Sequence, residues 1–123
     1  MIILDYRDKR PIYEQVKEKM QNLIVRGALE EDSKLPSVRS LAVELAVNPN
    51  TIQRAYVELE EAGYIYTVKG RGNFVAKKSE WQEDREHLID EEAKCLAKHA
   101  REAGISKERL LSRVTAYYEE EIL

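Results

Sequence analysis

Cysteine is nearly absent: Cys95 is the single one in 123 residues. No internal disulfide can form, as expected of a chain made for a reducing compartment. Long hydrophobic runs are missing as well. No apolar stretch approaches the roughly twenty residues of a membrane-spanning helix. The N-terminus lacks the basic-then-apolar order of a secretory signal. A cytoplasmic protein with no membrane partner is therefore expected. Catalytic signatures are missing in turn. There is no Gly-x-Ser-x-Gly turn, no Cys paired with a base, no Gly-rich dinucleotide fingerprint and no Gly-x-x-x-x-Gly-Lys-Ser/Thr phosphate loop. The expectation is a chain that is not an enzyme and carries no cofactor. Internal repeats and low-complexity segments are also lacking.

Positive charge is short overall. The formal net charge is −3, opposite to the basic balance of a nucleic-acid-binding domain. Its distribution reverses that impression. Residues 33–57 carry Lys34, Arg39 and Arg54 against Glu44 alone. Residues 64–78 carry Lys69, Arg71, Lys77 and Lys78 with no acid. These two segments together hold a net +6, whereas residues 79–123 hold seven basic and twelve acidic side chains. For attraction to phosphate, the local field matters more than the total.

What is present is helical periodicity broken by strong punctuation. Arg10-Pro11 opens a first helix, with Pro at its first position. Ile12, Val16, Met20, Leu23 and Ile24 recur at three- and four-residue spacing, one buried stripe, and Gly27 ends it. A second helix is expected over Ser37–Ala46, with Val38, Leu41, Ala42 and Leu45 inside. Asn48-Pro49 then reads as an N-cap followed by Pro at the next position, opening a third helix. Its inner face is Ile52, Ala55, Tyr56 and Leu59, and Gly63 stops it. Tyr64–Val68 and Phe74-Val75 are β-branched and aromatic. Between them, Lys69-Gly-Arg-Gly72 reads as a hairpin tip.

Two helices joined by a tight turn, the second opening on a polar edge that bears an Arg, are the way a helix-turn-helix reads DNA. Asn and Gln can bond adenine bidentately, and Arg can bond guanine at N7 and O6. The candidate contacts on the third helix are Asn48, Asn50, Thr51, Gln53, Arg54 and Tyr56. Gln53 and Arg54 are expected at base edges or the adjacent phosphate, and the Thr51 and Tyr56 hydroxyls on phosphates. Ser37 and Arg39 sit at the second helix's N-terminus, which favours phosphate, and Arg39 is expected on a phosphate or at a base edge. The plain alternative for Arg39 is a surface ion pair with Glu44 or another acid. Lys69, Gly70, Arg71 and Gly72 form a basic wing tip for the minor groove or phosphate, with Arg71 as the leading contact.

Lys77-Lys78-Ser79-Glu80 marks a composition shift. The expected division is therefore a winged helix-turn-helix domain over 1–78 and a two-helix tail over 79–123. Leu88, Ile89, Ala93, Leu96, Ala97 and Ala100 form one stripe of the tail. Gly104-Ile-Ser106 breaks it. Leu110, Leu111, Val114, Tyr117 and Tyr118 line a last helix. Two helices alone cannot cover two apolar stripes. A homodimer is therefore expected, through Leu88, Leu96, Ala100, Leu110, Leu111, Val114, Tyr117 and Tyr118. His87, Glu91, Cys95 and His99 repeat every four residues and are metal-ligating types. That row drifts by roughly 40° per step around a 3.6-residue helix. All four cannot reach one ion, and a mixed surface strip is the plainer reading. The fold class is mostly α with a small β wing. An interaction adaptor remains the alternative function class, separable from a DNA reader by salt dependence.

The wording Pro36-Ser-Val-Arg-Ser-Leu-Ala, Asn48-Pro-Asn-Thr-Ile-Gln-Arg-Ala-Tyr, Leu59-Glu-Glu-Ala-Gly-Tyr-Ile and Gly70-Arg-Gly-Asn-Phe-Val75 resembles the winged helix-turn-helix of the GntR family of bacterial transcription regulators. Asp8-x-x-Pro11-Ile-Tyr-x-Gln15 matches too. The Asn-Pro-Asn-Thr-x-x-Arg-Ala-Tyr run and the short C-terminal part look like its YtrA subfamily. The resemblance implies a dimeric repressor on inverted-repeat operators of double-stranded DNA, often of transporter operons. It also implies that Arg39, the first turn of helix three and the Gly70–Gly72 tip touch DNA. Many relatives read Ser-Arg-Thr-Thr where this chain has Asn48-Pro49-Asn50-Thr51, so a common cation is missing at Pro49. Val38 stands where Glu is common. Base preferences of other branches therefore do not carry over. Larger relatives hold metal or small-acid pockets. A tail of about forty-five residues has little room for a pocket of several hundred cubic ångströms. A small-molecule effector is left open and unnamed by any residue.

Overall fold

The computed structural model describes residues 2–120; Met1 and residues 121–123, which the two-domain reading includes, lie outside the described residues. Among the described residues there are five helices and one hairpin: α1 (Ile12–Val25), α2 (Val38–Leu45), α3 (Pro49–Glu61), β1 (Ile65–Val68), β2 (Gly72–Val75), α4 (Lys78–Glu102) and α5 (Lys107–Glu120). The chain divides into two compact units, Met1–Glu83 and Asp84–Leu123, the division falling inside α4.

In the first unit the stripes read from periodicity meet. Val16, Met20 and Ile24 of α1 pack with Leu41 and Ala42 of α2 and with Ile52, Ala55, Tyr56 and Leu59 of α3. Met20, Leu41, Ile52 and Leu59 are completely buried. Each such side chain contributes roughly 1.5–3 kcal/mol through removal of apolar area from water. Pro11 stands just ahead of α1 rather than inside it, with φ −53 and ψ 148. Among the described residues, Gln15 is the buried polar side chain of this core. Its Oε1 accepts the Asp5 N–H at 2.9 Å and its Nε2 donates to the Asp5 carbonyl at 3.0 Å. One amide thus satisfies both backbone groups of a residue that has no strand partner.

Caps account for the helix ends. The Ser37 Oγ accepts the Ser40 N–H at 3.0 Å, and the Asn48 Oδ1 accepts the Asn50 N–H at 2.8 Å. Each satisfies one of the donors a helix start leaves open. α2 is one residue shorter at each end than expected because Ser37 and Ala46 are its caps. Ala46 takes the left-handed conformation (φ 56, ψ 44), and the following Val47 N–H closes back on the Ala42 carbonyl at 3.0 Å. That closure turns the chain from α2 into α3.

The hairpin pairs Ile65 with Val75 and Val68 with Gly72, antiparallel. Gly72, expected in the tip, is the first residue of β2, and the turn is closed by the Arg71 N–H on the Val68 carbonyl at 2.9 Å. The outer edge of β2 is covered by residues 32–35, a pairing that no local pattern announces. The Leu35 N–H donates to the Asn73 carbonyl at 2.8 Å, and the Val75 N–H to the Ser33 carbonyl at 2.9 Å. Tyr66 and Phe74 stack across the strands at 5.6 Å, and the Tyr66 hydroxyl donates to Asp32 at 2.8 Å. That bond holds the Tyr66 proton and raises its pKa above the ordinary value.

Lys78 opens α4 directly after the wing. Trp81, in its first turn, is buried in the same core and meets Tyr64 with ring centroids 4.9 Å apart. In the second unit, Ser106 caps α5 by accepting the Arg109 N–H at 3.2 Å. Of the side chains expected at a dimer contact, Ala100 is already buried within the single chain and Leu110 is half-buried. Ala100 is therefore withdrawn from that set: a residue covered in one chain has no surface left to offer a second. Leu88, Leu96, Leu111, Val114, Tyr117 and Tyr118 are exposed. Among the described residues no helix is long and apolar enough to cross a membrane.

Candidate nucleic-acid interface

Successive α3 residues step by about 100° around the axis. With Ile52, Ala55, Tyr56 and Leu59 facing the core, Asn50, Gln53 and Arg54 fall on the opposite side, and all three are exposed. Thr51 lies half-buried at the margin of that edge. Val57 continues the row outward at 43% exposure, and Glu58, Glu60 and Glu61 follow. The first two turns of α3 are therefore neutral to basic and its end is acidic. Approach to a polyanion is electrostatically favoured only at the N-terminal half.

The Asn48 side chain is exposed, but its oxygen is engaged as the α3 cap, which leaves its amide nitrogen as donor. The Ser37 Oγ likewise accepts within its own helix and keeps its proton to donate. Arg39 projects exposed beside it and makes no ion pair with Glu44 among the described residues. Tyr56 needs correction. It is 2% exposed, and its hydroxyl donates to the Pro36 carbonyl at 2.7 Å, so it faces the interior and braces the approach to α2. Burial pushes its pKa up to about 12.

Arg54 is exposed but engaged. Its guanidinium carbon lies 3.7 Å from the centre of the Tyr13 ring on α1, and its Nε is 3.4 Å from Glu58 Oε2. Glu58 in turn meets Lys17 of α1 at 3.5 Å. On the wing, Lys69, Gly70 and Arg71 are exposed. Gly70 and Gly72 both have positive φ. A Cβ placed on Gly72 would come within 3.1 Å of the Lys34 Cε. Lys34 thus lies against the wing and adds a cation there, a proximity that the sequence does not announce because Lys34 and Gly72 are far apart in the chain.

His87, Glu91, Cys95 and His99 all lie exposed along α4. Among the described residues no group of three or more His, Cys, Asp or Glu is placed to hold a metal ion.

Comparison with known proteins places this arrangement. Residues 12–75 match the family model described as bacterial regulatory proteins, gntR family. The chain is 41% identical over 112 residues to the HTH-type transcriptional repressor YtrA of Bacillus subtilis, covering 89% of this chain and 86% of that protein. A GntR family transcriptional regulator from Listeria monocytogenes is similar in structure, with a TM-score of 0.67 at 38% identity over 92% of this chain and 98% of that one. The AraR DNA-binding domain, solved in complex with operator ORE1, has a TM-score of 0.53 at 34% identity over 62% of this chain and 93% of that one.

Proposed function

Because the chain belongs to the gntR family of bacterial regulatory proteins, and is a transcription regulator with a DNA-binding helix-turn-helix and not an enzyme, we propose that it represses transcription as a cytoplasmic homodimer on an inverted-repeat operator. The observation that carries this reading is the outward edge Asn50–Gln53–Arg54, exposed on a helix whose opposite face is locked in the core. The AraR domain that it resembles is bound to operator DNA, and YtrA is a repressor. In this reading the first unit reads DNA. Asn50 and Gln53 face base edges in the major groove. Ser37, Arg39, Asn48 and Thr51 hold phosphates, and Lys69, Gly70, Arg71 and Gly72 form the wing contact.

The second unit supplies the dimer contact. Leu88, Leu96, Leu111, Val114, Tyr117 and Tyr118 leave apolar surface exposed on both of its helices, and monomeric proteins rarely leave such surface contiguous and open. Two-fold symmetry of the protein then demands two-fold symmetry in the operator, with half-sites one helical turn or a multiple apart.

Selection of bound fragments from random duplex DNA by the purified chain tests this. Recovery of an inverted repeat, bound with an affinity that falls steeply as salt is added, is the expected result. Failure to enrich any sequence, or binding insensitive to salt, defeats it.

A further inference from the structure

Among the described residues, Arg54 is the side chain of the reading edge that another element holds. Two contacts hold it, one from α1 and one from its own helix, and the second is itself tied to α1. The Tyr13 ring lies under the guanidinium at 3.7 Å, Glu58 lies 3.4 Å from its Nε, and Lys17 ties Glu58 to α1 at 3.5 Å. Tyr13 is itself packed against the core and half-buried, so its ring is a fixed platform. A guanidinium over an aromatic face is attracted by the ring quadrupole while its outer N–H groups stay available. Among the described residues Asn50 and Gln53 have no such tether and are directed by their own helix.

We propose that Tyr13 is a positioning residue for DNA recognition: it holds Arg54 at the α1 flank of the reading edge, where Arg54 grips a backbone phosphate and does not read a base. The flank of a groove-bound helix faces the sugar-phosphate wall, whereas its centre faces base edges. Glu58 orients Nε and leaves the two terminal nitrogens for a bidentate phosphate contact. Because Glu58 is paired with Lys17 as well, its charge is shared and does not cancel that of Arg54.

This inference rests on the DNA-binding reading, and its test separates the two. Affinity for the selected operator and for a scrambled duplex is measured by fluorescence anisotropy over a range of salt. The proteins are the wild-type chain, Tyr13→Phe, Tyr13→Leu, Arg54→Ala and the Tyr13→Leu/Arg54→Ala double variant. Tyr13→Leu and Arg54→Ala should each weaken both duplexes by a similar factor, about threefold to tenfold, and lower the salt slope by about one. Tyr13→Phe keeps the ring and should bind as wild type. The double variant should be no weaker than Arg54→Ala. Wild-type binding by Tyr13→Leu, full additivity in the double variant, or loss of preference at a single base pair on Arg54→Ala overturns the proposal. A wild-type chain that binds neither duplex overturns the functional reading itself.

Discussion

The Tyr56 hydroxyl of α3 donates to the Pro36 carbonyl, twenty residues earlier, at 2.7 Å. This bond fixes the residue that precedes the Ser37 cap to the back of the reading helix. Tyr56→Phe removes the donor and leaves the Pro36 carbonyl without it, which should cost about 1–2 kcal/mol in urea unfolding. The pH dependence has a definite sign. The Tyr56 pKa is raised from its ordinary value of 10.0 to about 12 in the folded chain. Its contribution is complete below pH 10 and is lost as pH rises from about 10 to about 12, where the unfolded chain ionises first. The stability gap between wild type and Tyr56→Phe should narrow over that range. A gap constant across it would contradict the burial argument.

Gly72→Ala should loosen the wing. The position has φ +120, a conformation that side-chain-bearing residues avoid, and its new Cβ would meet the Lys34 Cε at 3.1 Å. A loss of about 1–3 kcal/mol is expected from the backbone alone. Adding Lys34→Ala should recover only a part, since it relieves the contact and not the dihedral. Full recovery in the double variant, by thermal unfolding, would show that the contact was the whole effect.

Ser37 separates capping from binding. Ser37→Ala should cost about 1 kcal/mol of stability, and Ser37→Gly only a few tenths. Both lose the hydroxyl proton that would reach a phosphate. Equal weakening of operator binding in the two variants, despite unequal stability, is the expected result. Binding that tracks stability would assign Ser37 to the cap alone.

Gln15→Glu keeps size and loses the donor to the Asp5 carbonyl. At neutral pH it sets a buried carboxylate against that oxygen and should destabilise the chain by about 1–3 kcal/mol or more. Protonation restores a donor, so the folded-state pKa of the new acid is raised. The penalty should shrink as pH falls from neutrality toward the ordinary carboxylate value of about 4.3, and level off below it, followed by denaturant unfolding at several pH values. A pH-independent penalty would mean that the two bonds to Asp5 are not what Gln15 provides.

Leu111→Glu places a charge in the exposed apolar surface of α5. The expected outcome is a chain that sediments at the mass of one copy, retains its helical circular dichroism, and loses the preference of the wild-type chain for the intact repeat over a single half-site. An undiminished dimer would move the interface elsewhere.

The three helices of the first unit were legible because their signals are local. The Val16–Met20–Ile24 stripe repeats at the helical period, and Ser37, Asn48 and Pro49 mark ends within a few residues of what they act upon. The exposed reading edge followed from the same periodicity. What escaped depends on meetings between distant residues. Residues 32–35 lie along β2, Trp81 enters the core from α4, and Arg54 finds Tyr13 on another helix. Tyr56 shows the limit within one element. Its periodicity placed it inside while its hydroxyl suggested a contact outside, and the Pro36 carbonyl decided between them.

Ala46 ends α2 ahead of α3 with a left-handed backbone that glycine would adopt at lower cost. A methyl group there narrows the range of angles the bend can sample in exchange for local strain. α3 is consequently aimed before it meets its target, and little of its interaction energy goes into arresting a swinging joint.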